Sequence, residues 1–361
     1  MKILPILLVL LTPALAQQTP APAETTWHNL SKFPVEGKGW TKTKHLYDRL
    51  PAEAEGVVRA PVWRLAQDSA GLRYRFVTDA TAIRARWKLR REQLALPHMP
   101  ATGVSGLDLY VRSGNQWHWL AGGRPEKQEN DTSLVSGLKR EKREYMLYLP
   151  LYNGVDSVEI GLPADSPLEA APDRYAGKKP AVFYGTSILQ GGCAARPGMA
   201  YPSIIGRMLD WPTINLGFSG NGKTEPEVAK LLAELDPSVY VLDSLPNLDV
   251  AETRERIEPF VKTIRAAHAT TPIILVENVS YTNSQFVESR QAKVTGVNEI
   301  LRKLYDKMKA AGDKNVYYVP TTRLFGQDGE DTVDGTHPTD LGFLRMAQGI
   351  APVVREALHL H

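Results

Sequence analysis

Ala181-Val182-Phe183-Tyr184-Gly185-Thr186-Ser187-Ile188-Leu189-Gln190-Gly191-Gly192 is the stretch whose reading decides the fold. Four apolar residues of strand length run into a glycine, a small polar pair and a helix-compatible stretch. That order spells a strand-to-helix turn. In an open α/β sheet such turns open at the carboxyl edge of the strands, where ligands bind. A serine there stands beside the unpaired N–H groups of a helix start, so Ser187 is a candidate nucleophile. The commoner job of such a residue is plain helix capping, by Thr186 or by Ser187 itself.

Outward from this stretch the pattern differs on the two sides. Downstream, strand-like runs at Ala181–Tyr184, Thr213–Leu216, Val239–Leu242, Ile273–Val276 and Val316–Val319 alternate with helical periodicities. Val228, Leu231, Leu232 and Leu235 fall on one helical face, and Glu288 to Ala311 forms a long helix stopped by Gly312. Five strands with crossover helices predict a parallel sheet covered on both faces. Upstream, from about Trp27 to Pro163, the period is two. In the run Ala82 to Arg90, Ile83, Ala85, Trp87 and Leu89 alternate with Arg84, Arg86, Lys88 and Arg90. Short strands at hairpin spacing without helices between them predict a β-sandwich. The cationic face of the Arg84 strand is either a solvated strand face or a surface for an acidic glycan. Trp117 and Trp119 share a face that reads either as sandwich core or as a sugar-stacking pair.

The expected organisation is a leader at 1–16, a Pro/Ala linker at 17–26, a β-sandwich domain at 27–170 and a catalytic α/β domain at 178–361, with the boundary near Ala170 to Pro180. The leader reading rests on Lys2, an apolar run to Leu15 and the small-x-small step Ala14-Leu15-Ala16. It implies export, periplasmic or secreted, without an integral membrane segment in the mature chain. A length of 361 residues suits two cores. A net charge of +3 and the lack of any nucleic-acid motif argue against a nucleic-acid partner. Cys193 is the only cysteine, so no internal disulfide can form, and it reads as a small buried residue.

Three further blocks carry chemistry. In Asp334-Gly335-Thr336-His337-Pro338, the aspartate can fold back onto Nδ1 of the histidine, leaving Nε2 to take a proton from a hydroxyl. The ordinary alternative is a capped surface turn. Asn215-Leu216-Gly217-Phe218-Ser219-Gly220-Asn221-Gly222 follows the second α/β strand with enough glycine for backbone N–H groups to face a ligand. Asp243-Ser244-Leu245-Pro246-Asn247 follows the third and brings an amide to the same edge. With the Ser187 N–H, these two turns can supply three donors to a tetrahedral oxyanion. No histidine pair has zinc-type spacing such as His-Glu-x-x-His, so neither metal nor cofactor is expected.

Ser, Gly, Asn and Asp-x-x-His in this order, each after a sheet strand, resemble the SGNH (GDSL-type) hydrolase superfamily. The resemblance implies a flavodoxin-like three-layer fold from about Lys178. Ser187 would be the nucleophile, His337 the base and Asp334 its orienter. The oxyanion donors would be Ser187 N–H, Gly220 N–H and the Asn247 side chain. The sequence departs from the family at Gly185-Thr186-Ser187, which replaces Gly-Asp-Ser, and at Leu245-Pro246-Asn247-Leu248, which replaces Gly-x-Asn-Asp. Upstream, Gly106-Leu107-Asp108-Leu109-Tyr110 looks like the GxDLY motif of a β-rich domain that precedes one bacterial subgroup. That two-domain form is similar to carbohydrate esterases, which implies an exported serine esterase acting on acetylated polysaccharide or another small ester. A lipase, arylesterase or thioesterase is the first alternative, and an inactive glycan-binding protein the second.

Overall fold

Among residues 24–360, which the computed structural model describes, the period-two half folds into nine strands. They are β1 Thr25–Asn29, β2 Arg73–Thr78, β3 Ala82–Leu89, β4 Leu107–Ser113, β5 Gln116–Gly123, β6 Glu129–Ser136, β7 Arg143–Tyr148, β8 Val155–Pro163 and β9 Glu169–Ala170. They make two antiparallel sheets, ordered β1-β8-β3-β6 and β5-β4-β7-β2-β9. The alternation in β3 has the expected consequence. Ile83, Ala85, Trp87 and Leu89 are buried against Leu107, Leu109, Tyr74, Phe76 and Ile160, and this inter-sheet layer is the sandwich core. The cationic face of β3 meets acids from neighbouring segments. Arg84 and Arg86 both bond Asp131, Lys88 bonds Glu129, and Arg90 reaches Asp48 and Asp156. It is a charge-balanced strand face rather than a free cationic strip.

Several upstream expectations change. Strand β1 begins at Thr25 and pairs Thr25 with Pro163, so the last residues assigned to the linker belong to the sheet. The leader and linker residues 17–23 lie outside the described residues. At the start of β2, Arg73 and Arg75 alternate with the apolar Leu72, Tyr74 and Phe76, and all five are buried. Arg73 pairs with Glu36, and Arg75 with Glu36 and Glu144, which makes their burial tolerable. Trp119 is 52% exposed, so the tryptophan pair is not sandwich core.

The second half folds as the helical and strand periods require. Strands β10 Ala181–Gly185, β11 Thr213–Gly217, β12 Val239–Asp243, β13 Ile273–Val276 and β14 Val316–Val319 form one parallel sheet ordered β11-β10-β12-β13-β14. Alternate residues of each strand feed opposite layers. Val182, Tyr184, Leu216 and Leu242 face helices Pro226–Ala233, Val250–Ala267 and Glu288–Ala310. Phe183, Val241, Ile274 and Val276 face helices Tyr201–Leu209 and Asp340–Ala357. This is the three-layer α/β fold with a reversal of strand order at β10. The reversal opens a crevice at the carboxyl edge beside Gly185.

The two halves share a core. Leu50, Ala54, Val58, Val62, Trp63 and Ala66 precede the first long sandwich strand, yet they pack with Ile214, Leu216 and Phe218 and cover the β11 side of the parallel sheet. Sequence texture alone assigns them to the sandwich. An edge strand needs cover, and this segment supplies it.

Candidate active site

Thr186 and Ser187 divide the work that either could have done. Thr186 is the N-cap of the short helix Ser187–Gln190, its hydroxyl accepting from Ile188 N–H at 3.3 Å. Ser187 is thereby left free of capping. Its Oγ lies 2.9 Å from Nε2 of His337, a residue 150 positions away. His337 Nδ1 lies 2.7 Å from Asp334 Oδ2. A ring nitrogen that close to a carboxylate carries the proton, so Nε2 presents its lone pair to the serine hydroxyl.

The Asp334 turn is built to hold this geometry. Asp334 Oδ1 accepts from the N–H groups of Thr336 at 3.0 Å and His337 at 2.8 Å. Partial burial raises the carboxyl's pKa, but those N–H groups and the imidazole outweigh it and hold the value down to about 2. Arg290 donates to Gly335 O and Thr336 Oγ1, bracing the turn from the helix Glu288–Ala310. The isolated bridge Thr332↔Pro338 closes the loop from below.

The glycine-rich turn after β11 lies on the serine turn. Phe218 N–H donates to Gly185 O at 3.0 Å, and a Cβ on Gly222 would sit 2.0 Å from Gly185 O. Only glycine permits that approach. Gly220 has φ +67° and opens into free space, and neither its N–H nor that of Ser187 finds a protein acceptor among the described residues. Asn247 stands over the same turn. Its hydrogen-bonding surroundings orient the amide with Oδ1 accepting from Asn221 N–H (3.0 Å) and Gly222 N–H (3.1 Å). The amide nitrogen is then this side chain's hydrogen-bond donor. The Gly220 turn and the Asn247 side chain thus lie together on the edge that carries Ser187.

Four residues that reading the sequence passed over, Gln190, Arg49, Asp68 and Tyr152, tie this rim to the sandwich half. Gln190, fully buried, donates from Nε2 to Asp68 Oδ2 and Leu151 O, both at 3.0 Å, and its Oε1 accepts from Ser219 N–H at 3.0 Å. Arg49, also buried, donates to the carbonyls of Leu65, Asp68, Asn215 and Gly217 at 2.7–3.0 Å. Burial lowers its pKa to about 10, partly offset by Asp68, and it remains a cation at neutral pH. Asp68 in turn pairs with Arg91. Tyr152 OH donates to Ser187 O at 3.2 Å. The contacts cross about 120–170 positions of sequence for Gln190–Asp68 and for Arg49 with the β11 carbonyls. No local pattern announces them.

The Gly106–Tyr110 motif acquires a physical role. A Cβ on Gly106 would meet Thr102 O at 2.3 Å. Asp108, wholly buried, accepts from Trp119 Nε1, Arg196 Nη1 and Gly198 N–H, each at 2.8 Å. Tyr110 OH completes the contact with Arg196. The motif therefore fixes the Arg196–Gly198 segment, a few residues beyond the Ser187 turn. Burial raises the Asp108 pKa, and Arg196 opposes the rise.

Fold and site geometry together set a hydroxyl, an imidazole and a carboxylate in line at the carboxyl edge of a three-layer α/β sheet. The chain belongs to the GDSL-like Lipase/Acylhydrolase family, whose model matches residues 178–355, and it is an ester hydrolase. A second model, the GxDLY N-terminus of SGNH-hydro-type esterases, matches residues 25–168. The chain is 34% identical to a Bacteroides ovatus protein described as a GDSL-like lipase, with 93% of this chain and 98% of that one covered and a TM-score of 0.88. The salicylyl-acyltransferase SsfX3 of a tetracycline biosynthetic pathway shares the fold at 20% identity, with 94% and 97% covered and a TM-score of 0.70. An acetyl xylan esterase from the rumen bacterium Butyrivibrio proteoclasticus does so at 11% identity, with 92% and 99% covered and a TM-score of 0.56. No curated protein matches the chain. Among the described residues no helix is long and apolar enough to cross a membrane.

Proposed function

We propose that the protein is an exported serine esterase that removes acetyl or other short acyl groups, with acetylated polysaccharide as the substrate class. The observation that carries the mechanism is the relay of 2.9 Å from Ser187 Oγ to His337 Nε2 and 2.7 Å from Nδ1 to Asp334. His337 takes the Ser187 proton as Oγ attacks the ester carbonyl. The carbonyl oxygen becomes an oxyanion facing Ser187 N–H, Gly220 N–H and the Asn247 amide. His337 then gives its proton to the departing alcohol, and the acyl group stays on Oγ. Water, deprotonated by the same imidazole, releases the acid and restores the hydroxyl. Asp334 stays ionised throughout and holds the ring in its working tautomer.

The substrate class is supported by the leader-like first residues and by the two-domain form shared with an acetyl xylan esterase. Acetate release measured across acetylated xylan, mannan, pectin and peptidoglycan, with Ser187→Ala as the blank, tests it. Release from at least one polymer is expected, and none from any of them would refute the substrate. One observation favours a larger acyl group. Phe286 is 81% exposed on a loop whose Thr282 bonds Thr332 beside the Asp334 turn. If p-nitrophenyl esters of eight or more carbons are turned over fastest, this second reading replaces the first.

A further inference from the structure

Around the catalytic imidazole the fold gathers two side chains that ester hydrolysis does not use. His98, exposed, comes from the loop after β3 in the sandwich half, and its ring centroid lies 5.3 Å from that of His337. Cys193, 5% exposed, comes from the turn that ends the nucleophile helix. The ligating atoms of His98, Cys193 and His337 all lie within 4.8 Å of one another. Two imidazoles and one thiol form the donor set that borderline-soft cations prefer.

The geometry points to a binding site for a thiophilic divalent cation, zinc being the fitting ion, that spans the two halves of the chain and inhibits the esterase by occupying His337 Nε2. The inhibition rests on the proposed role of His337, whereas the binding rests only on the three side chains.

Three features favour it. His337 already gives its Nδ1 proton to Asp334 at 2.7 Å, and a metal-bound imidazole is characteristically oriented by a carboxylate in this way. Tetrahedral zinc with bonds of about 2.0–2.3 Å needs ligand atoms roughly 3.3–3.8 Å apart. The three ligand atoms, within 4.8 Å of one another, must close by up to about 1 Å, and exposed His98 is the side chain with room to move. Ser187 Oγ, 2.9 Å from Nε2, or a water would stand at the fourth position. Third, Cys193 holds φ +73°, a left-handed conformation that non-glycine residues rarely keep, and this turn directs the chain back beside His337.

The bonds balance simply. The cation takes the Nε2 lone pair that otherwise accepts the serine hydroxyl, and it takes the sulfur as thiolate, so one thiol proton passes to solvent. Burial, with Asp334 nearby, pushes the free thiol up to about 12, so the cation must displace a bound proton. With Nε2 metallated, Ser187 has no base. Because the site needs His98, it forms only when the sandwich half is seated.

The test uses the full-length protein in chelator-free buffer. Titration with Co²⁺ should give a sulfur-to-cobalt charge-transfer band that Cys193→Ser abolishes and that persists in Ser187→Ala. Zn²⁺ should inhibit hydrolysis of p-nitrophenyl acetate, with each variant's rate taken relative to its own metal-free rate. His98→Ala should raise the half-inhibiting Zn²⁺ concentration by about tenfold or more. A parent protein without the cobalt band, or a His98→Ala variant inhibited within about twofold of the parent, would overturn the site. Should Cys193→Ser fail to fold, the surface change His98→Ala decides alone. The band in Ser187→Ala is read without turnover, so failure of the esterase mechanism would leave it unaffected.

Discussion

Gln190→Ala isolates the contribution of the sandwich half to the proposed oxyanion rim. The side chain is fully buried and makes three hydrogen bonds of 3.0 Å, to Asp68 Oδ2, Leu151 O and Ser219 N–H. Truncation leaves a buried N–H and a carbonyl without partners and takes one donor from a carboxylate. At about 1–3 kcal/mol for each stranded group, less what entering water restores, the loss of stability should be about 2–4 kcal/mol. Ser219 directly precedes Gly220, so the freed turn no longer fixes the Gly220 N–H against the forming oxyanion. A drift of about 1 Å there should lower kcat by roughly 10–100-fold while KM for p-nitrophenyl acetate changes little, because the donor acts on the transition state. Gln190→Glu adds a readout that mere destabilisation would not move. Its carboxylate keeps an acceptor for Ser219 N–H but faces Asp68 unless protonated. The activity of Gln190→Glu relative to the parent should therefore recover as pH falls. Urea unfolding and steady-state kinetics from pH 5 to 9 measure both effects. A folded Gln190→Ala variant with kcat within about twofold of the parent would refute the coupling.

Three other outcomes follow from the same geometry. Asp334→Asn should keep the fold but lower kcat on the order of 10³–10⁴-fold, since an amide facing Nδ1 no longer fixes the tautomer, and a loss under tenfold would remove Asp334 from the relay. Asp243, wholly buried, has its pKa raised by that burial to about 7, with Tyr201 OH bonded at 2.8 Å opposing the rise. The folded state thus holds a proton that the unfolded chain has released above about 4, so this group's contribution to stability falls as pH rises from about 4 to 7. Asp243→Asn should gain on the parent by up to roughly 4 kcal/mol between pH 4 and pH 8 in urea unfolding, and parallel pH curves would refute it. Arg49→Met strands four buried carbonyls and should cost about 3–5 kcal/mol, with a urea-unfolding loss below about 1 kcal/mol contradicting the bracing role.

The local patterns were enough to place strands, helices and turns. Period two in Ile83, Ala85, Trp87 and Leu89 determined which face of β3 is buried, because successive side chains on a strand must point to opposite sides. Apolar runs alternating with helical faces determined a parallel sheet, whose crossover connections carry each turn to its carboxyl edge. The blocks around Ser187, Asn215–Gly222, Asp243–Asn247 and Asp334–His337 could be assigned to that edge for this reason, and the family resemblance singled out Gly220 and Asn247 within them. The order of strands and turns implied their rim, and only the Asp334-x-x-His337 pair was close in sequence.

Tertiary structure decided what periodicity cannot encode. Arg73 and Arg75 carry the signature of a wet strand face, but Glu36 and Glu144 neutralise them and allow burial. Trp119 carries the signature of core, but its indole N–H is held by Asp108 at the surface of the contact between the halves. Leu50 to Ala66 read as sandwich and instead cover the parallel sheet. Gln190, Arg49 and Asp68, and the meeting of His98 with Cys193 and His337, join positions about a hundred or more residues apart, apart from Arg49 with Asp68. Spacing within a sequence reports on one strand or one helix turn. Which distant segments share a buried polar contact depends on how whole layers dock, and that is fixed only when the chain is folded.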